Sequence, residues 1–324
     1  MDLSTKAILN CYIFVGMSVI YAIGETLLDV FFKNGEVIGS RPGGAMLNTA
    51  VSLGRLGLPV FLMSEYAKDQ VGLVIDRFLG KNGVGLDHIY RFEEGKTALA
   101  MAFLDEDGEA SYDFYKQYPR QRLQIDIPEF RPGDIVLFGS FYALLPEIRN
   151  RIMPILNKAR ESGAIIIYDP NIRNPHKEEI GALRDAISEN ISIADIVRGS
   201  DEDFLNIFNI KCQTEAFDEV QKAGSEILIY TMNKHGVHLL CKNKSYFYKV
   251  PKLRTLSTVG AGDSFNAGII YDIWENNIKK PDLQDLMNER WSHIIETGIR
   301  FASIVCKSMD NYISTDFASK IRGL

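Results

Sequence analysis

The sequence has few cysteines and no excess of basic residues, and both features limit what the protein can be. Its 324 residues include four cysteines, none of them in a C-x-x-C pair. Scattered cysteines are typical of free thiols in a reducing cytosol, and they exclude a disulfide scaffold. There are 36 lysine and arginine residues against 42 aspartate and glutamate residues, a net charge of −6. The chain therefore lacks the basic field of a non-specific nucleic-acid binder, although it can still bind a phosphate locally.

The sequence also lacks an apolar run long enough to span a membrane. The N-terminal run Ile8–Ile23 has 16 residues, short of the ~20 that cross a bilayer. Asp2 offsets the charge of Lys6 before this run, and no small-residue cleavage site follows it. We therefore interpret Met17 as the functional start, residues 1–16 as an extension outside the fold, and the protein as cytoplasmic, without membrane partners. A signal peptide is the weaker alternative.

From Val19 onward, apolar runs alternate with helical patterns at intervals of roughly 30 residues, the spacing of βαβ units. This rhythm predicts an α/β fold with three layers, in which helices cover both faces of a mainly parallel central sheet. The predicted helices include Ala45–Leu56, Asp263–Glu275 and Leu283–Lys307. The buried strands are predicted at Val19–Gly24, Val60–Ser64, Ile135–Phe138, Ala164–Tyr168, Ile193–Val197 and Glu226–Thr231.

Two segments depart from this rhythm and predict a small β-sheet inserted into a single domain that covers residues 17–324. Residues 27–38 alternate around Lys33-Asn34-Gly35, and residues 97–115 alternate around Asp105–Gly108. Both patterns are hairpin signals. Their faces carry large apolar residues, so we expect a lid covered by substrate, by the body or by a second copy in a homodimer.

The strongest local motif is Gly260-Ala261-Gly262-Asp263, followed by good helix formers. Glycines at a helix N-terminus leave backbone N–H groups and the helix dipole available to an anion. A carboxylate beside that anion could take a proton from an attacking hydroxyl. Alternatively, Asp263 only caps the helix. A P-loop is absent, and the spacing is a poor match to a dinucleotide fingerprint.

Two further motifs are suited to a small polar ligand. In Pro42-Gly43-Gly44, the glycines open a helix and allow a ligand to approach closely, and Asn48 follows one turn later. Asp29 on the hairpin could bind a pair of sugar hydroxyls, or it could be a solvated charge at the edge of the sheet. The run Asp169–Arg173 follows a buried strand, and strand ends are where open α/β sheets bind ligands. A tight turn would explain either motif without a ligand.

Together these motifs make the sequence resemble the ribokinase-like (pfkB) carbohydrate kinases. The resemblance rests on their order and spacing, with Gly24-Glu25 preceding Asp29, and it covers about residues 19–307. Among these kinases, the sequence is most similar to the fructokinase and 2-keto-3-deoxygluconate kinase branches.

The resemblance implies ATP-dependent transfer of a phosphoryl group to a sugar hydroxyl, with fructose or a 2-keto-3-deoxy sugar acid favoured. Asp263 would be the base, and the amides of Gly260, Ala261 and Gly262 would form the anion hole. Mg²⁺ would arrive with ATP, bound mostly through phosphates and water, with Asp203 acting indirectly. The implied sugar ligands are Asp29, Gly43, Gly44, Asn48 and Arg173, and the implied nucleotide ligands are Ser200, Thr231, Asn233, Gly236, Gly260 and Gly262.

Departures from the family pattern fall on the nucleotide side. Ser257 replaces an acidic residue that helps to hold a monovalent cation, so dependence on K⁺ is doubtful. Ser200 and Asp203 replace an Asn and a Glu, and Asn233 replaces a Gly. These departures leave two alternatives open. One is a sugar-binding protein on a kinase fold with weak or no phosphoryl transfer, and the other is a ribose or nucleoside kinase.

Overall fold

The computed structural model describes residues 17–104, 110–172, 180–242 and 244–323. The predicted N-terminal extension, the turn at Asp105–Gly108 and the candidate ligand Arg173 lie outside these ranges. Within them, no helix is long and apolar enough to cross a membrane.

A ten-stranded sheet forms the centre of the described structure. Its strands are β1 (Ile20–Ile23), β4 (Val60–Ala67), β5 (Val84–Gly85), β6 (Ile89–Phe92), β9 (Ile135–Gly139), β10 (Ile165–Asp169), β11 (Ile196–Ser200), β12 (Ile227–Thr231), β13 (Val237–Cys241) and β14 (Lys244–Tyr248). The order across the sheet is β14-β13-β12-β11-β10-β9-β1-β4-β5, and β6 pairs with the end of β4. The strands from β12 to β6 pair in parallel, and the β13–β14 hairpin is antiparallel.

The mainly parallel sheet predicted from the sequence is confirmed. Strands β1, β9, β10 and β12 are buried along their whole length, as expected for strands covered on both faces. One predicted boundary is wrong, because Ile193 ends a helix and β11 begins only at Ile196. The β13–β14 hairpin was not predicted.

Helices cover both faces of this sheet. They are α1 (Ala45–Arg55), α2 (Gln70–Lys81), α3 (Pro146–Glu161), α4 (Ile180–Ile193), α5 (Asp201–Phe208), α6 (Gln213–Ala223), α7 (Ala261–Glu275), α8 (Asn288–Val305) and α9 (Thr315–Ile321). Alternate residues of β1 enter different cores: Ile20 and Ala22 pack with α1, α7 and α8, while Tyr21 and Ile23 pack with α3 and α4. The last long helix starts later than predicted, because a separate 3-10 turn forms first over Lys280–Gln284.

The small sheet predicted from the two hairpin patterns is confirmed. It contains β2 (Leu27–Lys33), β3 (Glu36–Gly43), β7 (Lys96–Leu104) and β8 (Ala110–Gln117), in the order β3-β2-β7-β8. We refer to this four-stranded sheet as the lid. Its two hairpins are antiparallel, and they are joined by the parallel pair β2–β7.

Helices α7 and α8 cross where two glycines meet. A Cβ at Gly268 would lie 2.7 Å from the Cα of Gly298 and 2.7 Å from the carbonyl oxygen of Thr297. Both neighbours are backbone atoms, so they cannot move aside as a flexible side chain could. The two helices can therefore approach this closely only because Gly268 and Gly298 have no side chains.

We expect Gly268→Ala to lower the free energy of unfolding by about 2 kcal/mol, because the added methyl group forces the helices apart. Urea denaturation would measure the change. Gly80→Ala is the matched control, since a Cβ there meets nothing within 4 Å in an exposed part of α2. Equal denaturation midpoints for the two variants would contradict this account of the crossing.

Candidate active site

The turn before α7 presents Asp263 near the carboxyl ends of the central strands, because Asn266 of the same helix contacts Asp169 at the end of β10. Gly260 is the N-cap of α7, with a φ of 77° and no side-chain capping bond. A Cβ on Gly260 would collide with the backbone of Asn311, so both the conformation and the packing require glycine. Asp263 follows in the first helical turn and is only 3% exposed. Because Gly260 occupies the cap position, the alternative that Asp263 serves only as the cap is not favoured.

Two residues of α1 hold Asp263 in place. Asn48 Nδ2 donates to Asp263 Oδ2 at 2.8 Å, and Thr49 Oγ1 donates to the Asp263 carbonyl at 2.9 Å. Asn48 is itself buried, and its Oδ1 has no hydrogen-bond partner among the described residues. A buried acceptor of this kind requires a donor, and a ligand hydroxyl can supply one.

The backbone amides of this turn are in different situations. The Ala261 N–H donates to the Thr258 carbonyl at 3.2 Å, so one of the three predicted anion-hole amides is engaged within the turn. The N–H group of Gly262 lies in the first turn of α7, where the helix itself supplies no acceptor. Together with the helix dipole, it favours an anion at this point.

Two glycines allow close packing where the lid meets α1. A Cβ on Gly43 would collide with the Asp29 carboxylate, and a Cβ on Gly44 would collide with the Glu25 carbonyl. Gly44 also has a φ of 130°, and it is the N-cap of α1. Three of the predicted sugar ligands, Asp29, Gly43 and Gly44, therefore lie together at the start of α1, and the fourth, Asn48, lies one turn into α1 and contacts Asp263.

A buried arginine that the sequence analysis did not single out lies on the other side of the turn. Arg198 Nη1 donates to Asp169 Oδ2 at 3.1 Å, and Nη2 donates to Thr231 Oγ1 at 3.0 Å. A Cβ on Gly262 would lie 2.9 Å from Nη1, so the guanidinium packs directly against the glycine turn. Arg198 is 6% exposed. In the sequence, Arg198 could be noticed only as a single basic residue within an apolar strand.

Asp169 links this arginine to α7. Its Oδ2 also accepts from Asn266 Nδ2 at 2.6 Å, and its Oδ1 has no hydrogen-bond partner among the described residues. Asn266 lies three residues after Asp263, so the two side chains share one face of the helix. One helix face thus carries both the carboxylate of Asp263 and the link to the Asp169–Arg198 ion pair.

Asp203 is tied to backbone N–H groups. Its Oδ1 accepts from Ile172 at 2.7 Å, and its Oδ2 accepts from the N–H of Ser200 at 2.7 Å in a capping box at the start of α5. Burial, and next the charge of Asp169, raise the pKa of Asp203. In the described parts of the chain, no group of three or more His, Cys, Asp and Glu residues could hold a metal ion.

A cavity of about 810 Å³ opens beside Gly262 and Arg198. Its walls include Ser200, Thr231 and Asn233, three of the predicted nucleotide ligands, and Ala302, Ser303 and Cys306 at the end of α8. Asn233 has a φ of 49°, the left-handed conformation that glycine usually supplies. Gly236 lies close by, because its carbonyl accepts from the Met232 N–H at 2.9 Å.

The site thus places a buried carboxylate at a glycine turn, with polar side chains of α1 on one side and a cavity on the other. A family model described as pfkB family carbohydrate kinase matches residues 14–317. The chain belongs to the pfkB family of carbohydrate kinases and is a sugar phosphotransferase.

Curated relatives and solved structures agree with this assignment. The chain is 22% identical to a fructokinase of Vibrio alginolyticus, covering 78% of this chain and 83% of that protein. It is 28% identical to fructokinase-2 of Solanum habrochaites, covering 78% and 81%. Among solved structures, an aminoimidazole riboside kinase from Salmonella enterica superposes with a TM-score of 0.81 at 18% identity, covering 94% and 98%. A fructokinase from Xylella fastidiosa with bound ATP gives 0.76 at 21%, covering 94% and 99%.

We expect Arg198→Met to lower the free energy of unfolding by about 3 kcal/mol, because it leaves the buried Asp169 charge without its cation. The double variant Arg198→Met/Asp169→Asn should recover much of that loss, since it removes both charges. Urea denaturation of the wild type, the two single variants and the double variant would measure the coupling. A double variant that is no more stable than Arg198→Met would contradict the pairing.

Proposed function

We propose that the protein transfers the γ-phosphoryl group of ATP to a sugar hydroxyl, with Asp263 as the general base. The observation that carries this proposal is the position of the Asp263 carboxylate: it is buried, it stands in the first turn of α7, and Asn48 orients it. A base in this position can take the hydroxyl proton as the oxygen attacks phosphorus. The new O–P bond forms as the bond to ADP breaks, and ADP leaves with its electron pair.

The glycine turn separates the two substrates in this scheme. Asp29, Gly43, Gly44 and Asn48 would hold the sugar on the lid side, with Arg173 as a further ligand. The nucleotide would occupy the 810 Å³ cavity, along Ser200, Thr231, Asn233 and Gly236. The transferred group would then pass the amides of Gly260, Ala261 and Gly262. Gly262 carries most of this role, because the Ala261 N–H has a partner in the turn.

The residues present fit a magnesium ion that is held mainly by the nucleotide. The two Asp203 oxygens already accept backbone N–H groups, so this residue would act indirectly. The partnerless Asp169 Oδ1 could accept from metal-bound water. Bound Mg²⁺ would neutralise charge on the phosphates. Ser257 Oγ accepts the Val259 N–H at 3.2 Å, and we propose that the enzyme does not depend on K⁺.

We propose two classes of sugar as candidate substrates. The named fructokinase relatives favour fructose, and a 2-keto-3-deoxy sugar acid is the other candidate. We also propose a cytoplasmic location.

We propose a homodimer that forms through the face of the lid opposite Asp29. Phe103 is 39% exposed and Tyr115 is 56% exposed, on the strands β7 and β8. Burial of this apolar surface against a second copy of the chain would stabilise a dimer. We expect light scattering at micromolar protein to give the mass of a dimer, and Tyr115→Lys to shift it toward the monomer. A monomeric mass for the wild type would contradict this expectation.

We expect Asp263→Asn to reduce kcat/KM at least ~10²-fold, because the amide cannot accept the hydroxyl proton. ADP release with MgATP would be followed for fructose, 2-keto-3-deoxygluconate, ribose, tagatose and adenosine, with and without K⁺. The matched control is Asp316→Asn, a surface carboxylate that pairs with Lys320.

Two results would count against the proposal. Full activity of Asp263→Asn would remove the base from the mechanism. No turnover of any sugar, together with a melting temperature that a sugar still raises, would favour a sugar-binding protein without phosphoryl transfer.

A further inference from the structure

We propose that Arg41 is a positioning residue for phosphoryl transfer, because it ties the lid to the glycine turn that would hold the transferred group. This inference rests on the proposed function, and it concerns a residue that acts through the turn. Arg41 lies on the lid strand β3, two residues before Gly43. The link runs through residues 309–313, which lie between α8 and α9 and which we call the strap.

Arg41 reaches the strap from the lid. Its Nη1 donates to the carbonyl of Met309 and, at 3.4 Å, to Asn311 Oδ1. The guanidinium also stacks on Phe31 of β2, with Cζ 4.7 Å from the centre of the ring. Arginine can combine stacking and directed hydrogen bonds in this way, and a charged donor binds a carbonyl more strongly than a neutral one. The lid is therefore joined to the strap by a side chain that Phe31 orients.

The strap packs directly on the glycine turn. A Cβ on Gly260 would lie 2.2 Å from the carbonyl oxygen of Asn311 and 2.5 Å from its Cα. Asn311 is buried, and Gly260 is the N-cap of α7. Because the contact is between two backbones, a shift of the strap either moves the turn or opens a gap beside it. The turn continues into the Gly262 N–H and Asp263, so the strap supports the proposed anion hole from behind.

Helix α1 holds the other end of the strap. The N–H of Ile313 donates to Ser52 Oγ at 3.3 Å, and Arg55 Nη1 donates to the Ile313 carbonyl at 2.6 Å. These bonds fix the strap at residue 313. The bonds from Arg41 hold it at residues 309 and 311, on the part that contacts Gly260. Arg41 thus adds a second connection between the lid side and the anion side of the site.

Arg41 also faces Asp29, its partner across the β2–β3 pair, so a change at Arg41 has two effects that kinetics can separate. Loss of the cation beside Asp29 changes how tightly the sugar binds, and this effect appears in the sugar KM. Loss of the bonds to the strap changes the position of the glycine turn relative to the sugar. This second effect appears in kcat, because a small displacement of reacting groups slows the transfer.

The kinetic test is Arg41→Met with MgATP and the sugar that the wild type phosphorylates. Methionine keeps an apolar stem against Phe31 but donates nothing to the strap. We expect kcat to fall about 10-fold while the KM values for sugar and ATP stay within about 3-fold of the wild type. A higher sugar KM with an unchanged kcat would show that Arg41 acts on Asp29 or on the sugar, and it would overturn the inference.

A conservative variant tests the hydrogen bonds themselves. Both bonds to the strap come from one nitrogen of Arg41, so a lysine ammonium can donate in its place. Arg41→Lys loses the planar group that stacks on Phe31, but its kcat should remain at least ~3-fold above that of Arg41→Met. If the two variants are equally slow, the bonds to the strap are not the cause.

Arg151→Met is the matched control. Arg151 Nε and Nη2 donate to the carbonyls of Leu123 and Ile125, at 3.1 Å each. Its helix α3 packs on the opposite face of the main sheet from α1 and α7. The variant therefore removes two similar hydrogen bonds away from the strap, and its kcat should stay within about 2-fold of the wild type. An equal fall in kcat for Arg151→Met and Arg41→Met would indicate general loosening and overturn the inference.

Hydrogen exchange without substrates tests the link independently of activity. The Ala261 N–H donates to the Thr258 carbonyl, and the Ser264 N–H donates to the Gly260 carbonyl. Amide exchange in a peptide that covers residues 258–264 therefore reports how firmly the turn is held. We expect this exchange to be at least ~5-fold faster in Arg41→Met, since a charged hydrogen bond that supports the turn is lost. Exchange in β9 should not change, and a turn that exchanges at the wild-type rate would overturn the link.

The two measurements distinguish failure of this inference from failure of the proposed function. If a sugar is phosphorylated and Arg41→Met leaves either kcat or the exchange of the turn unchanged, the kinase stands and the positioning role is overturned. If no sugar is phosphorylated but the turn exchanges faster in Arg41→Met, the proposed function fails and the link stands. Melting curves show which variants fold. If Arg41→Met does not fold, Arg41→Gln takes its place, because its shorter side chain also loses the bond to Met309.

Discussion

The hydrogen bonds between α1 and Asp263 fix the positions of the lid and the glycine turn relative to each other. Asn48 holds the carboxylate and Thr49 holds the carbonyl of the same residue, so α1 and α7 meet at the proposed base. Gly44, directly after the lid strand β3, is the N-cap of α1, and Gly260 of the glycine turn is the N-cap of α7. One residue thus fixes the lid side and the anion side relative to each other, and a small shift of either helix would separate the base from the sugar or from the phosphoryl group.

Around this contact, buried charges are arranged in pairs before any ligand is present. Arg198 is held by Asp169 and Thr231 against the glycine turn, and Glu65 on β4 holds Arg122. Paired charges of this kind keep their orientation in a low-dielectric site, so little reorganisation is needed when charge develops on a transferred group.

The central strands and their mainly parallel pairing could be predicted from the sequence because buried parallel strands are continuous apolar runs, which are visible without any tertiary information. The glycine turns and Asp263 could be found because glycines placed directly before a helical pattern are a local feature of the sequence. Arg198 could not, since its role depends on Asp169 and Thr231, which reach it from the two strands beside its own. An ion pair between Glu25, before β2, and Lys116 on β8 could not be predicted for the same reason, since 91 positions separate the two residues. Pairings between distant residues leave no local pattern.

The lid has a consequence for the order in which the chain can assemble. Its central pair joins Leu28 to Leu99 in parallel, and the chain between them forms α1, β4, α2, β5 and β6 of the body. Closing so long a loop costs conformational entropy that the short lid strands recover only once the intervening segment is compact. The lid is therefore a late and dependent unit of folding: each hairpin is locally encoded, but the sheet that carries Asp29 exists only on a body that has already formed. A fragment that contained the lid strands alone would lack the scaffold that brings its two halves together.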